Sequence, residues 1–187
     1  MFIQTESTPN PATLKFLPGR DVMGEAAVAD FPTRESGERS PLARALFAID
    51  DVSRVFFGSD FISVTKTDSS DWRHLKPSIL GAIMEHFTRD APLMDGAADE
   101  ASEESFDEGD AEIVSQIKEL LETRVRPAVA GDGGDIIFKS FDGASGVVSL
   151  HMRGSCAGCP SSTATLKHGI ENMLRHYIPE VNAVEAV

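Results

Sequence analysis

Cysteine is almost missing from this chain of 187 residues: Cys156 and Cys159 are the only two. A disulfide framework needs more, and a structural zinc site usually takes four Cys or His ligands. One chain therefore supplies half of a typical four-ligand set. Long apolar runs are missing as well. No stretch reaches the ~18 uninterrupted apolar residues of a membrane-spanning helix, which excludes an integral helical membrane protein. The opening MFIQTESTPNPATLKF has no basic group before Lys15 and no long apolar run. It reads as neither a secretory signal nor an Arg-rich transit peptide, so the expected location is cytoplasmic, in a bacterial cytosol rather than a mitochondrial matrix.

Basic residues are the third shortage, and it is local. Lys plus Arg number 17 against 30 Asp plus Glu, a net charge of −13. Residues 91–112 carry 9 acidic and no basic groups, whereas 1–90 (10 basic, 13 acidic) and 113–187 (7 basic, 8 acidic) are nearer balance. Without a basic stripe the chain lacks what phosphate backbones require, and nucleic acid is a poor candidate partner. The rest of the composition is ordinary for a soluble globular chain, with 41% apolar and 25% charged residues. The run PLMDGAADEASEESFDEGD at 92–110 is poor in large apolar side chains and cannot offset its ordering entropy. It reads as part of a flexible acidic linker over 91–110. An acidic docking tail for a basic partner is the alternative reading. Either way it separates two small domains, 1–90 and 111–187, and the expected class is α+β.

The N-terminal domain reads ββαββα. Phe2–Thr5 and Thr13–Phe16 are short alternating runs around a Pro-Asn-Pro turn, and Val52–Phe57 and Phe61–Thr65 form a hairpin. Ser40 and Pro41 open a short helix through Ile49, with Leu42, Ala45, Leu46 and Ile49 on one face. Trp72, Leu75, Ile79, Ile83 and Phe87 recur at helical spacing, with the regular helix expected from Pro77. Phe56, Phe57 and Trp72 fit the core. The C-terminal domain reads αββαβ. Ile113, Ile117, Leu120, Leu121 and Val125 make an apolar stripe that Pro127 ends. Ile136–Phe141 and Val147–Met152 are paired strands, a helix follows from about Pro160 to Tyr177, and Val181–Val187 supplies a last strand.

Chemistry concentrates in Arg153-Gly154-Ser155-Cys156-Ala157-Gly158-Cys159-Pro160-Ser161-Ser162-Thr163, between a strand and a helix. Pro160 at the first helical position puts Cys159 at the N-cap or close to it, so orphan backbone N–H groups and the helix dipole favour thiolate. Gly154 and Gly158 allow the tight backbone turn. Four readings compete for this pair. Two cysteines in a Gly-rich loop at a helix start seldom serve packing alone. A thiol–disulfide oxidoreductase is the second reading, but only 28 residues follow Cys159, too few to complete a thioredoxin fold. A single-chain site completed by His151 or His168 lacks ligand-like spacing. In the fourth, two chains together bring four thiolates, the ligand set of a [4Fe–4S] or [2Fe–2S] cluster, across a two-fold axis. Zinc can occupy the same thiolates.

Gly154-Ser155-Cys156-Ala157-Gly158-Cys159-Pro160, with Asp132-Gly133-Gly134-Asp135 upstream, resembles the NifU-like C-terminal domain of the Nfu-type iron–sulfur scaffolds and carriers. Independently, Thr5-Glu6-Ser7-Thr8-Pro9-Asn10-Pro11-Ala12-Thr13-Leu14-Lys15-Phe16, with Trp72 to Phe87, is similar to the Nfu N-terminal domain. The resemblance implies a homodimer that binds a labile cluster through Cys156 and Cys159 and passes it to apo-proteins, with an upstream scaffold as donor. It implies a carrier and not an enzyme. The ferredoxin-like and scaffold domains of larger NifU proteins have no counterpart here, so a downstream carrier fits better than primary assembly. Asp132-Gly133-Gly134-Asp135 also matches. On the residues themselves, its glycines turn helix into strand and its Asp side chains cap that turn. The N-terminal domain has no cysteine and is assigned to partner recognition, stabilisation or control of release.

Overall fold

The computed structural model describes residues 1–25, 27–96, 103–157 and 159–187. The chain divides into two compact units, 1–100 and 101–187. The first contains β1 (Gln4–Ser7), β2 (Thr13–Leu17), β3 (Ala29–Phe31), α1 (Pro41–Phe47), β4 (Val52–Phe57), β5 (Ile62–Lys66) and α2 (Trp72–Thr88). Its strands form one antiparallel sheet in the order β1-β2-β5-β4-β3. Phe16, Val55, Phe57 and Val64 from the sheet pack with Leu42, Leu46, Ile79 and Ile83 from the helices. Phe56 and Phe57 are buried, and Trp72 packs against the core while its indole N–H donates to the Pro11 carbonyl at 3.2 Å.

Two features of this unit differ from expectation. Strand β3 is too short, at three residues, to show a period. Its buried Asp30 is held by Arg54 of β4, with N–O distances of 2.5 and 3.2 Å. Helix α2 begins five residues before Pro77 because the Asp71 carboxylate caps it, accepting from the Arg73 amide at 2.9 Å. The carbonyl four residues before Pro77 belongs to exposed Arg73, where water can take the bond that proline does not donate.

The second unit contains α3 (Ala111–Leu120), a π turn (Leu121–Val125), α4 (Arg126–Gly131), β6 (Gly134–Asp142), β7 (Val147–Gly154), α5 (Pro160–Tyr177) and β8 (Ala183–Ala186). The sheet order is β6-β7-β8, antiparallel then parallel. Ile117, Leu121, Ile136, Leu150, Leu174 and Val184 are among its buried core. Pro127 does not end the first helix as its position predicts. The residue four before it, Thr123, lies inside the π turn, and that wider turn lets the chain pass the proline and continue to Gly131. Among the described residues no helix is long and apolar enough to cross a membrane.

The expected flexible linker over 91–110 is engaged at both of its described ends. The Ser40 hydroxyl donates to the Leu93 carbonyl at 2.6 Å, and the Asp95 amide donates to the Arg39 carbonyl at 2.8 Å, so 91–96 pack on the first unit. Ser105 bridges to Ser140 of β6, which ties 103–107 to the second. These bonds, made to residues distant in sequence, oppose the ordering entropy that composition alone leaves uncompensated. Residues 97–102 of that linker lie outside the described residues.

Candidate metal centre

Two loops of the second unit are sewn together around the cysteines. Strand β7 ends at Gly154, paired with Gly134, the first residue of β6. Gly133 and Gly154 both take positive φ, +84° and +64°, which glycine adopts without strain. The Ser155 amide donates to the Gly133 carbonyl at 3.2 Å, and its hydroxyl donates to the Asp132 carbonyl at 2.5 Å. The turn after Gly154 brings Cys156 against Gly134, so closely that a Cβ on Gly134 would lie 2.6 Å from the Cys156 Sγ. Cys156 is 5% exposed and belongs to the hydrophobic core.

The two thiols differ. Burial pushes the Cys156 thiol up to about 11; a hydrogen bond with Ser155 opposes that rise, and the negative charges of Asp132 and Asp135 add to it. The expectation that the helix start favours thiolate therefore fails for Cys156, which precedes the helix and sits in apolar surroundings. Cys159 occupies the expected place. It is the N-cap of α5, half-buried, with Pro160 in the first turn. Thr163 binds both cysteines from the helix: its amide donates to the Cys159 carbonyl and its hydroxyl to the Cys156 carbonyl, each at 2.9 Å. Gly158 lies outside the described residues.

The Asp132-Gly133-Gly134-Asp135 segment does turn helix into strand, but its carboxylates do not both cap it. Asp135, 3% exposed, is gripped by Arg126 through two bonds of 2.7 and 2.9 Å. Arg126 also reaches Glu122 at 2.6 Å, and the bond to Asp135 holds the guanidinium firmly charged. His151 is occupied elsewhere, its Nδ1 2.9 Å from the Val187 carbonyl, and His168 is exposed on α5. No group of three or more His, Cys, Asp or Glu side chains able to hold a metal occurs among the described residues. The pair Cys156 and Cys159 thus stands alone as soft ligands within one chain. Arg126 escaped the sequence reading, and Thr163 was named only as the end of the cysteine run, because nothing in a spacing of nine or seven residues marks a bond between a helix and a strand or loop.

A family model described as "Scaffold protein Nfu/NifU N terminal" matches residues 3–90, and one described as "NifU-like domain" matches 117–185. "NifU-like protein 4, mitochondrial" of Arabidopsis thaliana is 55% identical over 186 residues, covering 99% of this chain and 65% of that protein. "NifU-like protein 5, mitochondrial" of the same plant is also 55% identical, with 99% and 67% covered. "NFU1 iron-sulfur cluster scaffold homolog, mitochondrial" of Drosophila persimilis is 51% identical over 187 residues, with 100% and 65% covered. The chain thus spans about two thirds of the length of these curated relatives. Their mitochondrial names overturn the expected cytoplasmic, bacterial location. That expectation rested on the first residues, which from residue 3 fall within the matched N-terminal domain. With both halves matched in order, and with relatives at this identity along its whole length, the chain belongs to the Nfu/NifU scaffold-protein family.

Proposed function

We propose that this chain is an iron–sulfur cluster carrier working in mitochondria, which holds a labile [4Fe–4S] cluster as cargo between two copies and passes it to apo-proteins. The observation that carries this reading is the isolated thiol pair. Cys156 and Cys159 sit on one short loop, with no third metal-binding side chain grouped beside them among the described residues. Two copies supply the four thiolates that a cluster needs, and a two-fold axis brings them together with no further ligand. A [2Fe–2S] cluster fits the same four sulfurs. Names of relatives that include "iron-sulfur cluster scaffold" support the same cargo.

Release follows from the same geometry. A recipient's thiolates replace Cys156 and Cys159 one at a time, each exchange forming one iron–sulfur bond and breaking another. The freed Cys156 returns to a buried site that favours its protonated form, which disfavours recapture. The freed Cys159 remains at the start of α5. An upstream scaffold is the donor in this scheme, and the protein acts without turnover chemistry of its own. The oxidoreductase alternative would use Cys159, the less buried thiol at the start of α5, as its attacking sulfur, and the reconstitution below separates the two readings.

Anaerobic reconstitution with iron and sulfide tests the reading, followed by absorbance, metal and sulfide analysis, and native mass. The expected product is a brown dimer with about four iron and four sulfide per two chains. A colourless monomer that binds no iron and cycles its two thiols overturns it.

A further inference from the structure

A cluster shared by two chains lies outside both, so every sulfur that binds it must stand at a surface. Only one of the two thiols meets that demand. Cys159 is half-buried at the start of α5. Cys156 is 5% exposed, shares a core with Ile136 and Met152, and has Gly134 directly against its sulfur. No iron can reach that sulfur from a second chain while the loop keeps this form.

Hydrogen bonds on both sides hold the loop inward. The Ser155 side chain is itself buried, and its hydroxyl donates to the Asp132 carbonyl while its amide donates to that of Gly133. From the helix, the Thr163 hydroxyl donates to the Cys156 carbonyl at 2.9 Å. Just before Ser155 stands Gly154, at φ +64°, a residue free to change its backbone angles widely. Cysteine is a small hydrophobe, so withdrawing it from a core costs less than withdrawing a leucine. The loop thus combines a small buried anchor, two hydroxyl latches and a glycine pivot.

We propose that Ser155 and Thr163 latch Cys156 in the core of the metal-free chain, and that cargo reaches this sulfur only when residues 155–156 swing outward about Gly154. Closing the latch after transfer withdraws one of the two ligands, so the emptied carrier presents a single thiol. The purpose of this device rests on the cluster reading, but the latch is a property of the metal-free chain and is measured there.

The probe is dithiobis(nitrobenzoate), whose disulfide is attacked by a thiolate to form a mixed disulfide and release coloured thionitrobenzoate. In the full chain Cys159→Ser leaves Cys156 as the only thiol, and Cys156→Ser leaves only Cys159. Cys156 is expected to react about tenfold or more slowly than Cys159, in proportion to the rarity of local opening. Adding Ser155→Ala to the Cys159→Ser chain should speed Cys156 about fivefold, the worth of one buried hydrogen bond. A change in acidity would act the other way, since the bond from Ser155 opposes the rise in the Cys156 pKa. Thr163→Val should give a similar gain and Thr163→Ser none, which keeps the test decisive if Ser155→Ala disturbs the fold. Rates that stay flat in dilute urea mark the opening as local. With both cysteines present, Ser155→Ala or Thr163→Val should raise the initial rate of iron and sulfide loading by the same factor as the labelling.

Equal reactivity of the two thiols overturns the proposal. So does an unchanged Cys156 rate in both Ser155→Ala and Thr163→Val, a rate that climbs steeply with urea, or faster labelling without faster loading. A chain that takes up no cluster while its thiol rates behave as described overturns the cluster reading and leaves the latch standing.

Discussion

Both units contain the same device, a buried aspartate clasped by an arginine, and use it differently. In the first, Asp30 of the edge strand β3 is held by Arg54 of β4, and the pair staples that strand to its neighbour. In the second, Asp135 of β6 is held by Arg126, and the pair stands beside the loop that carries Cys156. The side-chain exposures nearly coincide: 20% and 7% for Arg54 and Asp30, 20% and 5% for Arg126 and Asp135. The surroundings do not. The five-stranded sheet around Asp30 has no thiol, and its aromatic core includes Phe31 and Phe57 in edge-on contact at 4.9 Å. The three-stranded sheet around Asp135 is smaller and gives a place in its core to a sulfur. One unit uses a buried charge pair for strand order alone. The other sets it next to the loop that carries Cys156.

The strongest way to break this comparison is to remove the sulfur. Cys156→Ser or Cys159→Ser should each abolish stable cluster loading, read as iron and sulfide content after reconstitution, while both units keep their native circular dichroism. Wild-type cluster content in either variant would falsify the bridging scheme. Next in size is the loss of one arginine. Arg126→Met leaves the Asp135 carboxylate buried without its counter-charge, which should cost the second unit about 3–5 kcal/mol. Arg54→Met should cost the first unit a similar amount through Asp30, and each loss should appear in only one of two separate melting transitions. A drop of cluster retention with Arg126→Met but not with Arg54→Met sharpens the contrast between the two pairs. A smaller effect is expected from Gly134→Ala. Its Cβ would stand 2.6 Å from the Cys156 Sγ and 2.7 Å from the Arg153 carbonyl oxygen, so backbone as well as side chain must shift. Overpacking of this kind costs about 1–3 kcal/mol. Denaturant titration of the second unit checks it.

How legible each region was in the sequence follows from the range of its interactions. Strand β4 and helix α5 appear at their expected bounds because an alternating or amphipathic run speaks for itself. The α+β class was visible in the same way, and the two-domain division was visible in the acidic, apolar-poor composition around 92–110. The thiol pair was legible through its spacing, its glycines and the proline after it. Strand β3 was not, since Ala29–Phe31 is held by pairing with β4 and by Arg54, both distant in sequence. The ends of α2 and of the helix before β6 were misread for one reason. Pro77 and Pro127 were given the force of boundaries, yet a cap at Asp71 and a π turn at Leu121–Val125 let helix run past them. The character of Cys156 was also hidden. Position at a helix start argues for thiolate, and only the packing against Gly134 shows that burial prevails.

The smallest expected effect separates the units by pH. His86 of α2 is buried, its Nε2 has no hydrogen-bond partner among the described residues, and burial lowers its pKa below the usual 6.5. In the second unit His168 and His176 are exposed and His151 is half-buried. With the folded pKa depressed, the unfolded chain takes up a proton first as the solution is acidified. Stability linked to His86 is therefore complete above about pH 6.5 and is lost as the pH falls from there toward the folded value. Melting of the first unit should move to lower temperature between about pH 7 and pH 5, more steeply than that of the second. His86→Phe, which replaces a buried ring with one that cannot charge, should flatten this dependence and leave the second unit's pH profile unchanged. If the wild-type units lose stability in parallel, or the variant keeps the wild-type slope, the acid sensitivity lies in the carboxylates and not in this histidine.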